Sequence, residues 1–204
     1  LEGEIIPLVP ATVGKVVPDA TPEEEWKWVV DATKECFDHA QKKGVKIAVE
    51  PLNRFETYLF NRCAQALALA DAVSPECGVC LDAFHINIEE NDMYDAIRLA
   101  GNRLFDFHVA DNNRFAAGLG HLDWQKIVST LKEIGYDGAL TNEFVAPVDR
   151  TPATMYPDMV ETNPVDISPE QLKFIQDHGS SLLTEDFYSD QMRITAETLL
   201  PLIK

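Results

Sequence analysis

The chain has 204 residues, of which 46% are hydrophobic, so it can bury one substantial core and is expected to form a single domain over residues 1–204. Its formal net charge of −17 repels polyanions, which excludes nucleic acid and anionic membrane as partners. No signal peptide and no apolar run of about 18 residues is visible. The four cysteines do not have the density of a disulfide scaffold, and we therefore expect a cytoplasmic protein.

In the first half of the chain, apolar strands are expected to alternate with amphipathic helices. Residues 1–15 are predicted to form a loop. Thr21-Pro22-Glu23-Glu24 is a capping box that should start a helix ending near Gly44. A strand over 45–50, an Ala/Leu-rich helix over 61–73 and a strand over 77–82 are expected to follow.

The second half continues this alternation. Asn91 is expected to cap a short helix to Ala100, before a strand over 104–109 and a helix over 124–134 capped by Asp123. Gly138 should open a fourth strand. The proline-rich stretch 146–169 is expected to be an ordered loop, with a short helix from Ser168 and a final helix capped by Thr184.

This pattern predicts an α/β fold with a parallel sheet covered by helices. Four strand–helix units are visible, whereas a complete (β/α)8 TIM barrel usually needs ~250 residues. We therefore expect the C-terminal half of such a barrel, strands five to eight with their helices, with the N-terminal strands missing. Because half a barrel exposes two sheet edges, a stable monomer is not expected, and we predict a homo-oligomer, either a dimer or a tetramer.

Each of the four predicted strands ends on a side chain that can bind a divalent metal: Glu50, Asp82, His108 and Glu143. The ends are roughly 30 residues apart, the length of a strand and its return helix, so they should lie side by side on one rim. Buried carboxylates repel one another unless a cation neutralises them. Any one of the four alone could equally be a loop anchor, but together they favour a site for Mg²⁺ or Mn²⁺.

Other polar residues near these strand ends have two interpretations. Arg54 either takes part in the site or forms a structural ion pair with Glu56. His85 should project toward the same rim as Asp82, whereas His121 is expected only to shape its loop. The Cys77–Cys80 spacing resembles a redox motif only superficially. A redox pair needs a helix start after it to lower the pKa of a thiol, and none is expected here.

Five segments resemble the sugar isomerase/epimerase superfamily of xylose-isomerase-like barrels, and most closely its ketose 3-epimerases, the D-tagatose and D-psicose group: 50–56 (EPLNRFE), 81–90 (LDAFHINIEE), 108–114 (HVADNNR), 118–124 (GLGHLDW) and 142–144 (NEF). The resemblance implies that Glu50, Asp82, His108 and Glu143 bind one Mn²⁺, Mg²⁺ or Co²⁺. It also implies that Glu56, His85 and Arg114 hold substrate oxygens.

The leading hypothesis is a metal-dependent sugar epimerase or isomerase that acts through a cis-enediolate, with Glu50 and Glu143 as acid and base. A small sugar or hydroxy-ketone without phosphate is the expected substrate, because no Lys/Arg cluster follows the strand ends. An aldose–ketose or hydroxypyruvate isomerase and an inosose dehydratase-like lyase are the enzyme alternatives. A non-catalytic fragment or binding protein is the third hypothesis.

Overall fold

A computed structural model describes residues 3–15, 17–145, 168–170 and 185–204. Five strands form one parallel sheet whose order follows the chain: β1 (Ile5–Leu8), β2 (Lys46–Val49), β3 (Gly78–Asp82), β4 (Leu104–Val109) and β5 (Leu140–Asn142). The helices are α1 (Pro22–Gln41), α2 (Cys63–Val73), α3 (Ala83–Glu89), α4 (Met93–Ala100), α5 (Trp124–Glu133) and α6 (Glu185–Ile203). The predicted parallel α/β architecture is confirmed.

The expectation of a loop at the start of the chain is wrong, because Ile5–Leu8 forms β1 at the edge of the sheet. Two features of the sequence explain why this strand was not predicted. It has only four residues, and one of them is Pro7, which has no N–H to donate and is tolerated on an edge strand. Hydrogen bonds still join it to the β2 segment, where the N–H of Lys46 donates to the Glu4 carbonyl at 2.8 Å. Within the described residues the sheet therefore has five strands, and not the four that were expected.

The helix predictions are confirmed in most places and wrong in two. Thr21 caps α1 with the predicted capping box, and Asp123 caps α5 by accepting from the N–H of Lys126. Helix α4 is capped by Asp92, not by Asn91. Helix α3 was not predicted at all, and it begins where Asp82 accepts a hydrogen bond from the N–H of Phe84 at 2.7 Å.

The sheet has two buried faces of different composition. One face packs on the helices and contributes to the main hydrophobic core: Ile47, Val49, Val79, Leu81, Phe107 and Val109. The alternate residues on the three central strands point to the other face. These are Ala48 on β2, Cys80 and Asp82 on β3, and Asp106 and His108 on β4.

The last helix lies against the β4–α5 region. The N–H of Ala116 donates to Gln191 of α6 at 2.7 Å, and the Lys132 ammonium of α5 donates to the Leu202 carbonyl at 2.7 Å. Most of the proline-rich stretch and the predicted cap Thr184 lie outside the described residues. Within the ranges that are described, no helix has the length and apolar character needed to span a membrane.

Candidate metal centre

The four predicted metal-binding side chains converge at the carboxyl ends of β2–β5. Glu50, Asp82, His108 and Glu143 each offer one ligand atom, and these atoms all lie within 4.8 Å of one another. Glu50, Asp82 and His108 are buried, while the Glu143 side chain remains 38% exposed. The four side chains therefore form one pocket that opens toward solvent on the Glu143 side.

The register of the sheet explains this convergence. Asp82 and His108 are direct partners across β3 and β4, so their side chains emerge side by side on the same face. Glu50 follows β2, where its N–H donates to the Leu8 carbonyl of β1 at 2.9 Å. Glu143 follows β5, and its N–H donates to the Val109 carbonyl of β4 at 3.2 Å. Backbone hydrogen bonds to neighbouring strands thus position both glutamates.

His108 lies at the centre of the pocket. Its Nδ1 atom is 3.2 Å from Glu50 Oε1 and 3.1 Å from Glu143 Oε2, whereas its Nε2 atom is 3.4 Å from Asp106 Oδ2. Asp106 also accepts hydrogen bonds from the Thr141 hydroxyl at 2.7 Å and from its neighbour's backbone N–H at 2.9 Å. A carboxylate behind an imidazole fixes which nitrogen faces a metal, so Asp106 orients His108.

Asp106 was missed in the sequence analysis, although a signal was present. It stands two residues before His108 on the same strand, and the alternation of side chains along a strand puts both on one face. Because it stands inside the predicted strand 104–109 and not at its end, it was not among the predicted ligands. The structure shows a buried carboxylate that shares the inner face with the predicted metal ligands Asp82 and His108.

The electrostatics of the pocket reflect its crowded carboxylates. Burial, together with the neighbouring Glu143 carboxylate, raises the pKa of Asp82 well above its usual range. Burial also acts to raise the pKa of Glu143, but hydrogen bonds from Asp82 and His108 and the charge of Arg114 lower it overall. Burial opposes the charged form of His108, but Asp106, Cys80 and the two glutamates outweigh it and raise the pKa of His108. These opposite shifts arise because three carboxylates, an imidazole and a guanidinium share one largely buried pocket.

These residues fit a divalent cation. Three carboxylates and one imidazole are the donors that Mg²⁺ or Mn²⁺ accepts. Glu50 Oε1 is buried and, among the described residues, has no hydrogen-bond partner; its 3.2 Å contact with His108 does not have hydrogen-bond geometry. A buried carboxylate oxygen without a donor is costly, and a cation would satisfy it.

Arg114 supplies the internal positive charge of the site. Its guanidinium forms ion pairs with Asp82 and, at 3.1 Å, with Glu143 Oε2, and its Cζ atom lies 4.5 Å from the centre of the Phe84 ring. The same group lies 3.1 Å from His85 Nε2. Arg114 thus contacts two of the four predicted metal ligands.

The loop after β4 holds Arg114 in place through the buried Asp111. The carboxylate of Asp111 accepts hydrogen bonds from the indole of Trp124 at 2.9 Å and from three backbone N–H groups, those of Asn112, Gly118 and Leu122. Burial alone would raise its pKa, but these donors lower it. Arg114 has a positive φ of 64°, which this loop maintains by a hydrogen bond from its N–H to the Asp111 carbonyl.

The other predicted substrate-binding residues lie beside the pocket. His85 is buried, and its Nδ1 atom accepts from the backbone N–H of Asn53 at 3.2 Å, while its Nε2 atom faces the guanidinium of Arg114. That nitrogen is 4.0 Å from Asp82 Oδ2. Glu56 accepts from the Asn53 amide at 3.1 Å, and its charge helps to raise the pKa of Arg114. Both side chains therefore border the same rim.

Three further residues that the sequence singled out, Arg54, His121 and Cys77, make other contacts in the fold. Of the two interpretations of Arg54, the structural ion pair is observed, but its partner is the buried Glu89 at 2.9 Å. The backbone N–H of His121 donates to Asn112 at 2.8 Å, which places this residue in the loop as expected. Cys77 lies at the opposite end of β3, where burial raises the pKa of its thiol to about 11.

Comparison with known proteins places the chain in a family. A family model described as a xylose isomerase-like TIM barrel matches residues 2–178. This chain belongs to the xylose isomerase-like TIM barrel family. The D-psicose 3-epimerase of Enterocloster bolteae is 40% identical to it over 111 residues, which are 54% of this chain and 37% of that protein. The L-ribulose 3-epimerase of a Methylomonas species is 37% identical over 115 residues, 56% of this chain and 40% of that protein.

Solved structures give the same result at the level of the fold. An L-ribulose 3-epimerase structure superposes with a TM-score of 0.73 at 25% identity, covering 98% of this chain and 61% of that one. The D-allulose 3-epimerase from Methylomonas sp. in complex with D-allulose has a TM-score of 0.64 at 31% identity, covering 84% of this chain and 62% of that one. The chain therefore spans less than two thirds of each of these relatives.

Proposed function

We propose that this chain carries the metal-binding strands of a divalent-metal-dependent ketose 3-epimerase. The single observation that supports this most strongly is the four-residue cluster whose ligand atoms lie within 4.8 Å of one another, with a glutamate on each side of it. The relatives named as D-psicose and L-ribulose 3-epimerases support the same reaction. Strands β2–β5 would be strands five to eight of a (β/α)8 barrel, with β1 as the fourth.

Glu50 and Glu143 would move the proton. They follow β2 and β5, with β3 and β4 between them, so a substrate over Asp82 and His108 would have one carboxylate on each side. One glutamate would remove the proton from carbon 3 and the other would return a proton to the opposite face. The greater exposure of Glu143 gives it the easier exchange of protons with solvent.

Glu50, Asp82, His108 and Glu143 would hold the cation, Mn²⁺ or Mg²⁺ or Co²⁺. When bound, a divalent cation supplies Lewis-acid polarisation of the substrate oxygens next to the reacting carbon. Arg114 would have to release Asp82 and Glu143 for these carboxylates to bind it. The freed guanidinium, together with His85 and Glu56, would then be available to hydrogen-bond substrate hydroxyls. A free ketose suits this set of groups, which combines donors and acceptors around a single cationic side chain.

The test is isotope exchange in D₂O with the Mn²⁺-loaded protein and D-psicose or L-ribulose. Deuterium is expected at carbon 3 of both epimers. Glu50→Gln and Glu143→Gln should each lower the rate by a hundredfold or more, on the order expected for lost acid–base catalysis. Glu133→Gln is the matched control, because Glu133 is a surface residue that pairs with Arg98 and lies outside the site.

Metal content must be measured in each variant, because both glutamates are also proposed ligands. Deuterium at carbon 1 or carbon 2 alone would contradict the 3-epimerase and indicate an aldose–ketose isomerase. A dehydrated ketone would indicate a lyase. Full exchange in a metal-loaded Glu50→Gln/Glu143→Gln double variant would remove both carboxylates from the proton path.

A further inference from the structure

A second set of potential metal ligands lies directly beside the first. Cys80 precedes Asp82 by two residues on β3, so both side chains point to the inner face of the sheet. The Cys80 thiol sulfur, a Glu50 carboxylate oxygen and a His108 nitrogen all lie within 4.8 Å of one another. All three residues are buried. This thiol set shares Glu50 and His108 with the four-residue cluster and has a sulfur in place of two carboxylates.

The register of the sheet explains the position of the thiol. Val49 pairs with Val79, so the next residues, Glu50 and Cys80, stand level on neighbouring strands. Cys80 in turn pairs with Asp106, two residues before His108 on β4. The thiol therefore lies on the same face as the glutamate and the imidazole, two positions deeper in the β3–β4 register than the Asp82–His108 pair.

Two observations indicate that this set can accept a ligand. Glu50, which belongs to this set, has a buried carboxylate oxygen, Oε1, with no hydrogen-bond partner among the described residues. Arg114, by contrast, forms its ion pairs with Asp82 and Glu143. In the described part of the chain it forms none with Glu50 or His108. A cation bound by the thiol set would therefore not have to displace the guanidinium.

The chemistry of the donors selects the ligand. One thiolate, one imidazole and one carboxylate, with a fourth position left for water, are the donors of a tetrahedral Zn²⁺ site. Soft sulfur disfavours Mg²⁺ and Mn²⁺, and Zn²⁺ binds nitrogen and sulfur donors more tightly than Mn²⁺ does. The cation replaces the thiol proton, which is released to solvent.

We propose that Glu50, Cys80 and His108 form an alternative site for a thiophilic divalent cation, Zn²⁺ or Cd²⁺. Because this site uses two ligands of the four-residue cluster, the soft and the hard cation cannot bind together. Occupancy by Zn²⁺ would leave Asp82 and Glu143 on Arg114 and keep the epimerase inactive, in a way that chelation reverses. This consequence for activity rests on the proposed function, whereas binding of the soft cation does not.

The test is titration of the metal-free protein with Cd²⁺, followed by the ultraviolet charge-transfer absorption of the Cd²⁺–thiolate bond. Every sample carries Cys36→Ser, which removes the exposed thiol. The parent is expected to develop the band with one equivalent of Cd²⁺, and Cys80→Ala should lose it. Cys77→Ala is the matched control, since Cys77 is equally buried but contacts the Ile47 carbonyl away from the site, and it should keep the band.

Thermal melting shows whether Cys80→Ala is folded, and Cys80→Val, which restores buried volume, serves as a second variant. A band that persists in both Cys80 variants, or no band in the parent, would overturn the inference. Competition with Mn²⁺, followed by its paramagnetic resonance signal, should require at least tenfold more Cd²⁺ in the Cys80 variants. Mn²⁺ binding without a Cd²⁺ band refutes only the thiol set, whereas a Cd²⁺ band without Mn²⁺ binding refutes only the metal site of the proposed function.

Discussion

The two faces of the central strands are equally buried but chemically opposite. On β3 and β4, the outer face presents Val79, Leu81, Phe107 and Val109 to the helices. The inner face presents Cys80, Asp82, Asp106 and His108, which are also nearly inaccessible to solvent. A one-residue step along either strand exchanges one environment for the other. The comparison shows that the pleat of a parallel sheet separates the residues that stabilise this protein from those that are proposed to act.

The two faces contribute to stability with opposite sign. Burial of an apolar side chain on the outer face stabilises the fold by about 1.5–3 kcal/mol. The inner face places carboxylates next to one another in a low dielectric, where the charged forms are disfavoured unless paired. Arg114 and His108 pair with these carboxylates in the structure. We therefore expect outer-face substitutions to change stability most, and inner-face substitutions to change metal affinity most.

The largest effect is expected from Phe107→Ala on the outer face. Phe107 is completely buried in the main core, and loss of a core phenylalanine costs about 3–5 kcal/mol. Denaturant unfolding followed by circular dichroism measures the change. Phe105→Ala is the matched control, because Phe105 lies on the same strand but is only partly buried, and it should cost clearly less. Equal losses for both variants would contradict the assignment of this loss to complete burial in the core.

A smaller effect is expected from Asp106→Asn on the inner face. The amide keeps the size of the side chain but removes the negative charge that lies 3.4 Å from His108 Nε2 and orients the ring. Loss of such an orienting carboxylate typically lowers metal affinity about tenfold to a hundredfold. Calorimetric titration with Mn²⁺ measures this change. An unchanged affinity would show that Asp106 has only a structural role, since a structural role alone would alter unfolding and not the binding isotherm.

The smallest effect is expected from Thr141→Val, which acts one contact further from the metal site. Thr141 donates its hydroxyl hydrogen to Asp106 Oδ1 at 2.7 Å, and valine replaces it with a side chain of nearly the same shape. Loss of this hydrogen bond should reduce the free energy of unfolding by about 1 kcal/mol. Mn²⁺ affinity should fall less than in Asp106→Asn. A larger fall would mean that Thr141, and not Asp106, controls the orientation of His108.

Features that depend on short-range patterns were predictable from the sequence. The capping box at Thr21 fixes the start of α1, and the ends of the apolar runs place the four proposed metal ligands on one rim. Strand β1 was not predictable in this way, because four residues that include Pro7 carry too little periodic signal. Helix α3 was missed because Phe84, Ile86 and Ile88 alternate with a period of two, which favours a strand, while the Asp82 cap and tertiary packing select a helix.

The contacts of Arg114 could not be predicted from short-range sequence patterns, for a different reason. Its guanidinium reaches Asp82 and Glu143 because the loop after β4 is folded around the buried Asp111. That fold depends on donors up to 13 residues away along the chain and on a close approach of Gly120 to the Asp111 carboxylate. The sequence motif indicated which residues belong to the loop, but not that the arginine pairs with predicted metal ligands.

The order of the strands has a consequence for how the protein unfolds. Because every strand pairs with its neighbours along the chain, the sheet is a linear array of similar units, and such arrays can lose terminal units without losing the rest. The four proposed metal ligands are associated with four successive strands, β2 to β5, with one residue in each unit. A bound cation would therefore act as a crosslink across most of the array. Partial opening at either end of those four units would then require the metal to leave, so metal loading should convert gradual fraying into a single cooperative transition.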